Sequence, residues 1–214
     1  MYSKSEIAQA ELLGSGANRY CVISPRDNSI CLKIDLPFER KKTKNWRQSI
    51  QRYLSRNFNY FNENFVEWRA AKKLHKLVTH EIALEYIAPI YSLDVSELGW
   101  ILSTELVRNE DGTVAKSLHH HICENSTLSK QQLYKEIDKF CKFLLEYRIP
   151  LFDLNSGNMV IQQSSKGMRL YCVDIKSIAR GKEIIPISYW SNRLMKKKIL
   201  RRADRLKQVI KKQG

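Results

Sequence analysis

Apolar residues recur along this chain with two different periods. Stretches 9–23 and 29–36 are strand-like and flank the turn-rich Pro25-Arg26-Asp27-Asn28, which predicts an antiparallel hairpin. Stretches 87–93 and 100–106 also read as strands, with Gly99 between them. Between these two pairs the period lengthens. Phe61, Phe65, Trp68, Ala71, Leu74 and Leu77 recur at helical spacing and predict a helix over 60–78. A second helix is predicted over 129–147, with Ser129 capping through Gln132 and Leu133, Ile137, Cys141, Leu144 and Leu145 as its buried stripe. Pro150 then forces an extended entry into the next loop. From Tyr189 onward, Trp190, Leu194, Ile199, Ala203, Leu206 and Ile210 mark an amphipathic helix with Lys and Arg on its other face. Strands early and helices late predict an α+β chain with a small antiparallel sheet and a mainly helical second half.

Polar residues placed against this pattern carry the candidate chemistry. Leu13-Gly14-Ser15-Gly16-Ala17-Asn18-Arg19-Tyr20 reads as a strand that breaks into a tight turn and resumes. Gly14 and Gly16, with Ser15 between them, would let backbone amides approach phosphate oxygens with no Cβ in the way. Lys33 is the only charge in the apolar run Ile30-Cys31-Leu32-Lys33-Ile34. A lysine in such a strand is costly unless it meets an anion, and phosphate is one candidate. Further on, Leu151-Phe152-Asp153-Leu154-Asn155-Ser156-Gly157-Asn158 sets an Asp and an Asn five apart on a loop. A second Asp, Asp174, closes the apolar run that ends at Val173.

In this order the residues resemble a protein-kinase-like, two-lobe fold and, within it, the small bacterial YrbL family of PhoP regulatory network proteins. The likeness runs from Leu12 to about Ile178. It implies an N-lobe over 1–107 and a reduced C-lobe over 108–214. It also implies roles: Lys33 on the α- and β-phosphates of ATP, Glu67 pairing with Lys33, and Asp153 as the catalytic-loop base. Asn158 and Asp174 would hold Mg²⁺. Glu63 lies four residues before Glu67 on the same helix face, so either could turn toward Lys33; Glu67 matches the family position. Glu105-Leu106-Val107 would be the hinge, where the backbone of Glu105 and Val107 meets the adenine edge.

The chain departs from the kinase pattern at several points. Arg19 stands at the third glycine, which implies a looser phosphate cover or one that uses a side chain. Leu151-Phe152 replaces the His-Arg before the catalytic Asp and removes an orienting hydrogen bond. Asp174-Ile175-Lys176 stands at D-F-G, and there is no A-P-E. Forty residues after Asp174 leave no room for a full activation segment and helical substrate platform.

Composition adds a partner question. The 214 residues carry a net charge of +15, with 43% hydrophobic and 28% charged residues. Residues 40–56 hold seven Lys or Arg and no acid, and residues 189–214 hold ten against one Asp. These two stretches account for the whole surplus and suggest polyanion contact. Residues 193–212 could lie on an anionic membrane surface or a phosphorylated glycolipid; alternatively the stripe packs on its own lobe and the charges are solvated. No RRM, KH, zinc-finger or helix-turn-helix pattern appears, so nucleic acid is disfavoured. His119-His120-His121 cannot easily converge on one ion and reads as a loop or helix start.

No run of eighteen apolar residues exists, and Met1-Tyr2-Ser3-Lys4-Ser5-Glu6 lacks an apolar signal core. Cys21, Cys31, Cys123, Cys141 and Cys172 include no C-x-x-C, and most read as small core residues in a reducing compartment. The expected location is cytoplasmic, peripheral at the inner membrane surface if the basic stretches bind lipid. Three functions stay open: a γ-phosphate transferase acting on an unidentified hydroxyl, a nucleotide-binding pseudokinase-like module, and an adenylyl transferase. Retention of Lys33, Asp153, Asn158 and Asp174 together favours chemistry, since a scaffold needs no base.

Overall fold

The computed structural model describes residues 2–36, 58–124, 128–179 and 191–213. The chain divides into two units, residues 1–71 with 89–106, and residues 72–88 with 107–214. Residues 72–88, which the sequence pattern places in the N-lobe, therefore group with the second unit.

The first unit is built on a five-stranded antiparallel sheet. Its strands are β1 (Leu12–Ser15), β2 (Arg19–Ile23), β3 (Ile30–Asp35), β4 (Ile90–Ser96) and β5 (Gly99–Glu105), in the order β1-β2-β3-β5-β4. The predicted hairpin is β2–β3, with Tyr20 opposite Ile34 and Val22 opposite Leu32. Because side chains alternate across a strand, Val22, Leu32, Ile34 and Ile101 share one face. They pack with Ile7 from the short helix α1 (Lys4–Ala8), which a Ser3/Glu6 capping box opens. Cys31 and Lys33 point to the other face, and all four residues from Cys31 to Ile34 are buried. Being covered on both sides explains why β3 reads as a nearly continuous apolar run.

Helix α2 spans Glu63–Leu74, shorter at both ends than the predicted 60–78. Asn62 stops it N-terminally: its Oδ1 accepts from the amides of Asn64 and Phe65, and its Nδ2 donates to Asp35. Leu77, expected in the buried stripe, is 44% exposed and lies beyond the helix, whereas Asn64 and Glu67 are fully buried. Phe65 meets Trp100 edge to face, with centroids 4.4 Å apart.

The second unit begins with the single turn α3 (His80–Ala83) and continues with α4 (Leu118–Cys123) and α5 (Lys130–Glu146). Ser129 and Gln132 form the capping box expected of α5, and the buried stripe gains Phe140, Phe143 and Glu136. Tyr86, Phe140, Phe143 and Tyr147 form an aromatic group along it. After α5, Arg148 takes a left-handed backbone with φ 52°, and the Ile149 amide bonds back to the Leu144 carbonyl. A two-stranded sheet, β6 (Met159–Ser164) with β7 (Gly167–Cys172), follows the loop and leads into α6 (Lys176–Ala179).

Helix α7 (Asn192–Gln213) buries Met195, Ile199, Ala203, Leu206 and Ile210. It lies along α5: Lys207 pairs with Asp138 at 2.5 Å, and Tyr134 donates to the Lys207 carbonyl. The stripe therefore packs within its own unit. Met195 takes the place expected of Leu194, which is 41% exposed. Trp190 and the basic stretch 40–56 lie outside the described residues.

Candidate functional site

Two groups of polar residues stand out, one in each unit. In the first, the face of the sheet opposite the Ile7 core carries Lys33, buried at 5% exposure. Its Nζ meets Oε1 of Glu67 at 2.6 Å. The pairing is with Glu67, while Glu63 stands one turn away in the first turn of α2. Arg19, at the start of β2, brings Nη1 to within 2.6 Å of the other carboxylate oxygen, Oε2. The same Arg19 nitrogen donates to Oδ1 of Asn64 at 2.9 Å. Asn64 then donates from Nδ2 to the carbonyls of Lys33 and Trp100. A buried carboxylate is tolerable only when its charge is met, and here two cations meet it.

In the sequence, Arg19 reads as the loss of a glycine from the phosphate turn. In the fold, its side chain ties the root of that turn to α2 through Glu67 and Asn64. Asn64 is a site residue that the sequence pattern missed. The available signal was the helical spacing of Asn64 and Glu67 on the same face as buried Ala71, which marks a polar cluster inside an apolar stripe.

Within the turn, the Gly16 amide donates to the Arg19 carbonyl at 2.7 Å and so is already engaged. Neither Gly14 nor Gly16 has a left-handed backbone, and a Cβ on Gly14 would meet nothing within 4 Å. The chain's own packing does not require glycine at 14, which leaves open space beside β1. Ser15 pairs with Tyr20 across the β1–β2 ladder. At the expected hinge, the Glu105 amide donates to the Pro89 carbonyl, and its side chain accepts from the Tyr91 hydroxyl. The Val107 carbonyl accepts from the Ala115 amide, keeping one further lone pair.

The second group follows α5. Ile149, Leu151, Phe152 and Leu154 are buried and anchor the loop, while Asp153 and Asn158 are part-exposed. The hydroxyl of Ser177, one residue into α6, accepts from the amides of both Phe152 and Asp153, at 3.1 and 3.2 Å. These two bonds fix the backbone that carries Asp153, at the position where His-Arg is missing. Asn158 Nδ2 approaches the Asp153 carbonyl at 3.5 Å, and the Asn158 carbonyl accepts from the Val173 amide at 2.9 Å. That last bond ties the loop asparagine to the residue preceding Asp174. The Asp174 carboxylate is engaged by the next residue but one: Oδ2 lies 3.0 Å from Lys176 Nζ, and Oδ1 accepts from the Lys176 amide. Lys198 of α7 sits over the Phe152 ring at 3.8 Å.

The donor set suits a hard divalent cation. A carboxylate and an amide oxygen, Asp174 and Asn158, are the kind and number of protein ligands that Mg²⁺ takes when phosphates and waters complete its shell. Lys176 would have to yield Oδ2 to it. Among the described residues no group of three His, Cys, Asp or Glu is placed to hold a metal ion. His119 to His121 lie on α4, where the His119 ring nitrogens stand 3.7 and 3.8 Å from Cys123 Sγ, and His120 pairs with Glu124.

A five-stranded antiparallel sheet with a strand lysine paired to a helical glutamate, followed by a mainly helical unit with an Asp–Asn loop, defines a protein-kinase-like fold. The chain belongs to the YrbL family: the family profile described as PhoP regulatory network protein YrbL matches residues 6–212. Among solved structures, it is similar to mutant forms of the PknI kinase domain of Mycobacterium tuberculosis. One matches at 16% identity with a TM-score of 0.45, covering 79% of this chain and 60% of that one. Another matches at 16% identity with a TM-score of 0.44, covering 81% and 60%. The chain thus spans about 60% of the length of these kinase domains. No curated protein matches its sequence.

Proposed function

We propose that this chain is an ATP- and Mg²⁺-dependent phosphotransferase that moves the γ-phosphoryl group to a hydroxyl acceptor. The observation that carries the reading is the buried Lys33–Glu67 pair at 2.6 Å, since a buried ion pair is weak as a stabilising device and useful for presenting a lysine. In phosphoryl transfer the protein's work is positioning and charge neutralisation. Glu67, held by Arg19, fixes the rotamer of Lys33, which neutralises the α- and β-phosphate oxygens. The open space at Gly14 admits a phosphate close to the backbone. Asp153, its amide fixed by Ser177, orients the acceptor hydroxyl and takes its proton. Asn158 and Asp174 hold Mg²⁺, which supplies charge neutralisation at the phosphates when bound. Glu105 and Val107 offer backbone groups to the adenine edge.

The acceptor is an acidic or membrane-associated molecule in this reading. Support comes from the outward face of α7, where Arg193, Lys196, Lys197, Arg201 and Arg205 are exposed together with Leu194 and Leu200. Co-sedimentation with anionic but not neutral vesicles tests that surface. A reducing, cytoplasmic setting fits five cysteines that form no disulfide.

The test is a thermal-shift titration with MgATP on wild type and Asp174→Ala, with ADP, AMP and phosphate measured in the same samples. Stabilisation together with slow ADP formation, both lost in the variant, supports the kinase reading. AMP release points to adenylyl transfer. A second reading, a nucleotide-binding pseudokinase module, is favoured by one observation: Lys176 already neutralises Asp174. Nucleotide stabilisation without any product would select it. No shift at millimolar MgATP would remove both.

A further inference from the structure

Helices α5 and α7 run antiparallel: Lys207 pairs with Asp138, whereas Lys130, at the start of α5, reaches the Lys211 carbonyl near the end of α7. The C-terminal end of α5 therefore lies beside the N-terminal end of α7, and a groove of about 630 Å³ stays open there. Its volume is in the range of small-molecule sites. Buried Cys141 and Met195 form the floor with half-buried Leu145, and Leu200 beside them is 39% exposed. Burial, with Asp138 adding to it, pushes the Cys141 thiol up to about 12, as a floor of low polarity should. From Asp138 to Glu146, at 1.5 Å per residue, α5 gives the groove a length of about 12 Å.

The rim is charged. Lys142, Arg148 and Lys196 line it, all exposed and, among the described residues, without an ion-pair partner. Of the two acids there, Asp138 is already taken by Lys207, and Glu146 stands alone against the three cations. Arg148 supplies a second, independent observation. The Ile149 amide bonds to the Leu144 carbonyl and the Arg148 amide to the Leu145 carbonyl, a paired helix end in which the position of Arg148 is usually glycine. Arg148 takes that left-handed backbone with φ 52°, which no other described non-glycine residue does. Glycine adopts it without steric cost; this chain gives that up for a guanidinium on the groove rim.

We propose that this groove binds a single-chain anionic amphiphile, an alkyl chain that ends in a carboxylate or a phosphate. The chain lies on Cys141, Leu145, Met195 and Leu200, and the head meets Arg148 and Lys196 with Lys142 alongside. An apolar floor alone would take any hydrophobic solute, and a cationic rim alone any small anion. Side by side in one groove they select a molecule that carries both. Lys196 and Leu200 belong to the outward face of α7 as well as to this groove. The groove nevertheless holds one molecule, and its occupation requires neither nucleotide nor a membrane surface.

The experiment is a fluorescence titration of the full, nucleotide-free chain with dansyl-labelled undecanoate, kept below the concentration at which it forms micelles. Saturable binding of one probe per chain is expected, displaced by laurate and dodecyl phosphate but not by dodecyltrimethylammonium or inorganic phosphate. Which of the first two displaces better tells a carboxylate head from a phosphate. Arg148→Gly should weaken binding about tenfold, the loss of one charged contact. Its thermal midpoint should stay the same or rise, because glycine suits the left-handed backbone, so weaker binding cannot be put down to unfolding. Leu200→Glu, at an exposed position, should weaken binding as well. Equal displacement by dodecyltrimethylammonium overturns the proposal, and so does unchanged affinity in either variant. Retention on anionic vesicles without any binding of the free probe also overturns it, and assigns the anionic contact to the outward face of α7.

Discussion

The two polar groups of this chain solve the problem of holding a carboxylate in opposite ways. Glu67 is fully buried, with Lys33 and Arg19 on its two oxygens and Asn64 fastening Arg19 to the sheet. Asp174 is part-exposed and is met by Lys176, two residues along its own chain. The first arrangement is assembled by tertiary packing across forty-eight residues of sequence, from Arg19 to Glu67. The second is local and in contact with solvent. One is therefore part of what makes the first unit fold, and the other can exchange its partner at small cost. A buried carboxylate deprived of a cation leaves charge that cannot escape, while a local pair still in touch with solvent is worth about 1 kcal/mol.

The sharpest way to break this contrast is to compare stabilities. Glu67→Ala strands Lys33 and Arg19 in the sheet's buried face and should cost about 3–5 kcal/mol. In a chain of this size that lowers the thermal midpoint by roughly 2–4 °C per kcal/mol. Denaturant unfolding of the variant measures it, and a loss below about 1 kcal/mol would mean that the cluster is hydrated and not structural. Asp174→Ala should leave stability within about 1 kcal/mol of wild type. If the proposed chemistry holds, its turnover should fall on the order of a thousandfold, about 4 kcal/mol of transition-state stabilisation. Equal destabilisation by the two substitutions would erase the distinction.

The same contrast governs what is legible in the sequence. Lys33 is conspicuous because a charge in an apolar strand breaks a pattern, and Asp153, Asn158 and Asp174 because they keep a spacing. The β2–β3 hairpin, the strands around Gly99 and the cap and stripe of α5 follow from period and turn chemistry, which are local. Arg19, Asn64 and Ser177 are not legible as members of these clusters. Each acts on a residue at least twenty-four positions away, and an isolated polar side chain carries no mark of the partner it will meet. The ends of α2 are misplaced by the sequence pattern for a related reason. Leu77 continues the helical period, but Asn62 and the turn after Leu74 set the real limits. Leu194 fits the α7 stripe about as well as Met195 on paper, and only packing against α5 chooses between them.

The smallest effect tests the local pair directly. Lys176 supplies both an ammonium group and a backbone amide to the Asp174 carboxylate. Only the ammonium competes with a metal ion, because the amide can bond Oδ1 while Oδ2 changes partner. Lys176→Gln removes the competing charge, leaves the amide in place, and should tighten binding of a divalent cation in the absence of nucleotide. A part-exposed pair worth about 1 kcal/mol limits the gain to roughly fivefold. Titration of the free protein with Mn²⁺, followed by electron paramagnetic resonance, reads that gain without reference to turnover. Tighter binding that disappears in a Lys176→Gln/Asp174→Asn double variant would make Lys176 a tethered counter-ion of the metal carboxylate. Unchanged or weaker binding would mean that the ammonium does not compete for the carboxylate, and the supposed exchange of partners at Asp174 would fail.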